Sequence, residues 1–187
     1  ELGGREAVPA LVRALDDDGA EVREEALSSL EELDPAAGAL GDPSWRVRAA
    51  AAEALGELEN ADDREALLRA TRDPRFEVRE AALQALGNLG DPRALPGIVE
   101  RLADDDWRLR CAAVEALGEL GAPEALQPLI DRLEDGAWRV RLAALEALDD
   151  LEDPRALGPV RRLTRDPHPE VRSAAAETLA DLSETDD

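Results

Sequence analysis

A Val-Arg pair, once Leu-Arg, returns along this chain at Val22-Arg23, Val47-Arg48, Val78-Arg79, Leu109-Arg110, Val140-Arg141 and Val171-Arg172. The spacings are 25, 31, 31, 31 and 31 residues. An aspartate stands five residues before each pair: Asp17, Asp42, Asp73, Asp104, Asp135 and Asp166. Self-similarity at a fixed period of this length constrains a fold more tightly than composition does, because it implies one supersecondary unit stacked on copies of itself. After the pair comes an Ala-rich segment ending in Ala-Leu-Gly, as at Ala54-Leu55-Gly56, Ala85-Leu86-Gly87 and Ala116-Leu117-Gly118. A second segment then opens with Asp91-Pro92, Ala122-Pro123 or Asp153-Pro154. Aspartate suits a helix N-cap, and proline suits the first helical turn, where a missing N–H costs nothing.

Both segments carry a helical period. Leu109, Ala112, Ala113, Ala116 and Leu117 fall on one face of the segment after the pair (helix B). Ala125, Leu126, Leu129, Ile130 and Leu133 do the same in the segment before the next pair (helix A). A single helix pair cannot bury two such faces, so neighbouring pairs must stack into a continuous core. With three Trp, one Phe and no Tyr, that core is built of Ala and Leu, which favour closely packed helices. Alternating β-branched or aromatic runs are absent, so the fold class is all-α. The units run 1–33, 34–59 (shortened), 60–90, 91–121, 122–152 and 153–182, with an acidic tail at 183–187, in one domain spanning 1–187.

Two units depart from the frame. The first interval is six residues short, so Asp34-Pro35-Ala36-Ala37-Gly38-Ala39-Leu40 replaces a whole helix A with about one turn. This is either a deletion tolerated on the convex side or a break in curvature that opens a notch for a partner. The start, Glu1-Leu2-Gly3-Gly4-Arg5-Glu6-Ala7, aligns with Glu119-Leu120-Gly121-Ala122-Pro123-Glu124-Ala125. That alignment leads us to expect a preceding N-terminal part.

The stretch Asp104-Asp105-Asp106-Trp107-Arg108-Leu109-Arg110-Cys111-Ala112-Ala113-Val114-Glu115-Ala116-Leu117-Gly118 resembles the short HEAT-like repeats of the phycobilisome (PBS) lyase type. The likeness covers nearly the whole chain. The Thr-Pro-Leu-His signature of ankyrin repeats and the Tyr of tetratricopeptide repeats are missing. The resemblance implies a right-handed α-α superhelix, a HEAT-like/armadillo-type α-solenoid, with A helices outside and B helices lining a concave face. It also implies an Asp–Arg ladder joining adjacent repeats, so Asp17, Arg23, Asp42, Arg48, Asp73, Arg79, Asp104, Arg110, Asp135, Arg141, Asp166 and Arg172 are assigned to structure. The function it implies is a non-catalytic protein-binding scaffold or adaptor. The alternative is a bilin-lyase-like subunit that loads a tetrapyrrole onto a phycobiliprotein, with Cys111 as the one plausible thiol acceptor.

Specificity should lie at positions that vary between units. Two places before the Val stand Trp45, Phe76, Trp107 and Trp138, so nearly every aromatic residue occupies one register. They form either a ladder along the edge of the binding face or caps on the seams between repeats. Arg108, Cys111 and Glu115 on one B helix, and Arg139, Leu142 and Glu146 on the next, face away from the core. With the aromatic residues they make the candidate partner-binding site, because Trp and Arg are the types enriched in interface hot spots.

Charge narrows the partners. Asp and Glu number 44 against 22 basic residues, all of them Arg, for a net charge of −22. Such a chain repels nucleic acid and anionic membranes, so the expected partner is a protein. The even spread of acid and the absence of Lys also fit adaptation to high internal salt. The single cysteine fits a reducing cytoplasm. No apolar run is long enough for a membrane span, and no signal peptide is visible. Few soft ligands exist for a metal, no cofactor is indicated, and no catalytic residue is assigned. Ser28, Ser29, Ser44, Ser173 and Ser183 have only His168 as a base, and His168, between Pro167 and Pro169, reads as an exposed turn residue. Glu53, Glu115, Glu146 and Glu177, with Gln84 in the same register, read as a solvated stripe.

Overall fold

A computed structural model of the chain describes residues 39–57 and 60–184, together with 10, 11 and 14. Among these residues every regular element is helical. They fall into two compact units, Glu1–Asp91 and Pro92–Asp187, each taken here by itself. The first holds α1 (Trp45–Glu57), a 3-10 turn (Ala61–Asp63) that runs into α2 (Arg64–Ala70), and α3 (Phe76–Asn88). The second opens with the 3-10 turn Pro92–Ala94 and α4 (Leu95–Arg101), followed by α5 (Trp107–Leu120). The 3-10 turn Pro123–Ala125 leads into α6 (Leu126–Arg132) and α7 (Trp138–Asp150). The turn Pro154–Ala156 leads into α8 (Leu157–Leu163) and α9 (Pro169–Glu184).

The short helices are the A segments and the long ones the B segments. Each A helix begins as a single 3-10 turn, where proline fits because its backbone nitrogen has no carbonyl to reach. B helices pack on B helices: α1 on α3 in the first unit, and α5 on α7 and α7 on α9 in the second. Each A helix packs on the B helix that follows it. Leu55, Leu67, Leu83 and Leu86 are fully buried in the first unit, and Leu109, Leu117, Leu129, Leu133, Leu145 and Leu148 in the second. No aromatic ring is among the buried residues, so aliphatic side chains, mostly Ala and Leu with some Val and Ile98, fill the described core. The rings are therefore left for the edge.

The turns after α3, α5 and α7 each carry a left-handed residue. Gly90 (φ +60°) and Gly121 (φ +59°) supply it, and Glu152 (φ +49°) stands in the same register. Glycine adopts this conformation without strain, whereas glutamate does so at a steric cost. Of the shortened unit, Ala39 is described: it is buried in a small cluster with Val47 and Ala51, against which Leu11, Leu40 and Ala50 pack. Residues 34–38, and the ladder positions Asp17 and Arg23, lie outside the described residues. Among the described residues no helix is long and apolar enough to cross a membrane.

Candidate functional site

The turn before each B helix is built by one aspartate and one arginine. The aspartate carboxylate accepts the backbone N–H two residues on: Ser44 for Asp42, Arg75 for Asp73, Asp106 for Asp104, Ala137 for Asp135 and His168 for Asp166. The arginine of the Val-Arg pair reaches back with Nη1 to the aspartate's own carbonyl, at 2.7 Å for Arg48, 3.0 Å for Arg79 and 2.8 Å for Arg110, Arg141 and Arg172. In Arg48, Arg110 and Arg141 the rest of the guanidinium forks onto the aspartate of the next repeat. Arg48 Nε and Nη2 donate to Asp73 at 2.7 and 2.9 Å. Arg110 donates to Asp135 at 2.8 Å twice, and Arg141 donates to Asp166 in the same way. One side chain thus ties its own turn to the next, and that next turn is itself tied by the same carboxylate. Such planar, two-point recognition is the property that separates Arg from Lys.

These bonds fix where the aromatic register lies. The guanidinium carbons of Arg46 and Arg75 stand 4.9 and 4.8 Å from the Trp45 ring centroid. In the second unit Arg139 stands 5.2 Å from Trp107 and 4.4 Å from Trp138, so it bridges the two rings. His168 lies flat on the other ring, with centroids 3.8 Å apart and planes 6° from parallel. The result is an edge running Trp107, Arg139, Trp138, His168. Trp45, Phe76 and Trp138 are half-buried, while Trp107 is 37% exposed and is the large hydrophobic side chain most open to solvent among the described residues. Arg108 donates to Asp106 from Nε at 3.0 Å and from Nη2 at 2.6 Å.

Behind the edge the B helices turn acidic. Cys111 and Leu142 are half-buried, and Glu115 and Glu146, one turn further on, are exposed. Burial, then the charge of Glu115, raises the pKa of Glu119; burial, then Glu57, does the same for Glu53. Burial also pushes the Cys111 thiol up to about 11, with Glu115 and Asp135 adding to it against Arg110 and Arg139. The ladder carboxylates go the other way. The bond from Arg48 holds Asp73 below its ordinary value, and at Asp135 and Asp166 burial acts upward but the arginine and backbone bonds outweigh it.

These opposite shifts predict a stability maximum at mildly acidic pH. Ionising Glu53 and Glu119 costs more in the fold than in the unfolded chain, so stability rises as pH falls through their raised values. The ladder aspartates contribute stability above the unfolded value of about 3.9, and that contribution is lost as pH falls through their depressed folded values. Urea midpoints should therefore climb from neutral pH toward about 5 and drop below about 4. A midpoint that only falls on acidification from neutral pH would refute this account.

The repeat frame matches a known family model, HEAT repeats, over residues 31–86, 67–148 and 127–187. The chain belongs to the HEAT-repeat family. Among solved structures, this HEAT-repeat chain is similar to one in the complex of CpcE and CpcF of phycocyanin lyase from Nostoc sp. PCC7120. The TM-score is 0.70 and the identity 27%, covering 82% of this chain and 65% of that one. The chain therefore spans just under two thirds of that protein's length. It is also similar to the Escherichia coli protein YibA, with a TM-score of 0.67 and 22% identity, covering 95% of this chain and 73% of that one. A designed armadillo repeat protein in complex with the peptide (KR)4 has a TM-score of 0.62 and 21% identity, covering 94% and 99% of the two chains. The last two establish a shared α-solenoid fold. No curated protein sequence matches the chain.

Two features of the HEAT-repeat edge escape a reading of the sequence. His168 is not an exposed turn residue: its ring is half-buried against Trp138, because it stands where Arg75 stands in an earlier repeat. Aligning the residue before each aromatic position with the preceding ring would have exposed this relation. Asp149 occupies the register of Gly56, Gly87 and Gly118. Burial, followed by the charges of Asp181, Asp150, Glu152 and Glu177, raises its carboxyl pKa. An aspartate following glycine in the three preceding repeats of this column is the signal for it.

Proposed function

We propose that this chain is a non-catalytic protein-binding scaffold that takes its partner on the B-helix surface and along the Trp–Arg edge. The observation that carries the reading is the position of the rings. The buried core is complete without them, and Trp107, with Arg139 against it, faces solvent. Large aromatic residues left outside a sufficient core, next to Arg, have the composition of interface hot spots. Cys111, Leu142, Glu115 and Glu146 extend the surface away from the edge, and Arg108 lies beside it.

The second reading is a lyase-like accessory subunit, favoured by the 27% identity to a chain of the CpcE–CpcF complex. A thiol raised to about 11 is protonated at neutral pH, which makes Cys111 a poor acceptor for a tetrapyrrole. On this reading too the chain works by holding a protein.

The experiment is capture from the source cell's lysate by the intact chain and by Trp107→Ala/Trp138→Ala, after circular dichroism shows both to be folded. A specific protein should be retained by the intact chain and reduced more than about tenfold by the double substitution, as for loss of hot-spot residues. Equal retention by both would overturn the assignment of the edge. Binding of a bilin with no protein retained would favour the lyase-like reading.

A further inference from the structure

Two of the three tryptophans in the aromatic register lie beneath a side chain of the next repeat, and the third does not. Trp45 lies beneath Arg75, and Trp138 beneath His168. In both cases the covering side chain comes from the position thirty residues on, the first residue before the next B helix. The equivalent position for Trp107 is Ala137, whose methyl group cannot reach over an indole. Trp107 is accordingly the ring left 37% exposed. The backbone there is unchanged: Arg75 has φ −92° and ψ 131°, and Ala137 has φ −88° and ψ 121°. The gap is therefore one of side chain alone.

We propose that Trp107 is the docking site for an arginine side chain carried by an extended basic segment of a protein partner, its guanidinium lying where Arg75 lies over Trp45. This rests on the scaffold reading and specifies its partner. Both covers the chain supplies for itself are flat, nitrogen-rich groups that stack on an indole face. Arg139 on the same ring does not forbid a second cation, since Trp45 holds guanidinium groups at 4.9 and 4.8 Å. Charge complementarity decides between an arginine and a neutral ring. Glu115 and Glu119 follow along α5; burial, then the charge of Glu115, raises Glu119, and the repulsion between the two would be relieved by further positive residues of the segment. A net charge of −22 draws such a segment in and repels an acidic one.

The test uses the full chain and two labelled peptides, one alternating Arg and Ser, the other alternating Lys and Ser. Binding is followed by fluorescence anisotropy at low ionic strength, and the indole N–H resonances are followed by NMR. Two variants bracket the site: Trp107→Ala removes the ring, and Ala137→Arg installs the missing cover in cis while keeping it. The Arg peptide should bind more tightly than the Lys peptide and shift the Trp107 indole resonance. Each variant should weaken the Arg peptide by roughly threefold to thirtyfold, the range for a cation–π contact. Equal binding of both peptides, unchanged by either variant, would mean attraction by net charge alone and would overturn the proposal. So would an Arg peptide that fails to bind at low salt. A captured protein lost with Trp107→Ala/Trp138→Ala but indifferent to Ala137→Arg would keep the scaffold and reject the arginine site.

Discussion

Asp135→Ala is expected to lower the stability of the chain by about 3 kcal/mol, the low end for breaking a buried ion pair from one side. The carboxylate is 5% exposed and does two jobs, accepting both arms of the Arg110 fork and the N–H of Ala137. Its loss leaves a guanidinium that is itself only 16% exposed with bonds on Nη1 alone. The exposed pair Arg155–Asp153 is the control: Arg155 is 69% exposed, and Arg155→Ala should shift the unfolding midpoint far less than Asp135→Ala. Urea unfolding of the full chain measures both. A double-mutant cycle with Arg110→Met separates the pair from its parts, because removing both charges should cost less than the sum of the single changes. Additive losses would mean that the fork is incidental and that Asp135 acts as a turn cap only. The loss should also be regional, since each repeat leans on its neighbours. Hydrogen exchange should quicken first in α5 and α7.

The ladder and the core were legible in the sequence for one reason: each is repeated. A residue that returns in register six times is under the same local constraint six times, and the helical period of Ala and Leu tells which face is buried. Arg48, Arg110 and Arg141 pair forward with the aspartates twenty-five residues on. The partner-facing surface was less legible, because it depends on differences between repeats. The position of the rings can be read as a column, but whether a ring is covered depends on a residue in another column of the next repeat. Arginine at 75, histidine at 168 and alanine at 137 give three environments to indoles that look equivalent in sequence. The ion pair between Arg108 and Asp106 is likewise a local choice of side chain. Repetition reveals the scaffold, and the exceptions to it carry the site.

The second large effect concerns the distance between B helices, on which that register depends. Gly56→Ala is expected to destabilise the chain by about 1–2 kcal/mol, although alanine is the better helix former by about 1 kcal/mol. A Cβ at position 56 would lie 2.7 Å from Ala85 Cα and 2.9 Å from Ala85 Cβ, inside the reach of backbone that cannot swing aside. Overpacking of this kind outweighs the gain in propensity. Gly118→Ala is the graded comparison, since its Cβ would meet Ala147 Cβ at 3.0 Å and Cα at 3.3 Å. There the two effects nearly cancel, and the change should stay within about 0.5 kcal/mol. Trimming the neighbour with Ala85→Gly should not rescue Gly56→Ala, because the shorter contact is to the main chain. A rescued midpoint would show that the side chain alone sets the approach. The functional consequence follows from geometry. Pushing α1 from α3 moves Trp45 from beneath Arg75, so the Trp45 indole resonance should shift in Gly56→Ala while those of Trp107 and Trp138 stay in place. The glycine column therefore sets the spacing at which one repeat can lay its cation on the ring of the one before.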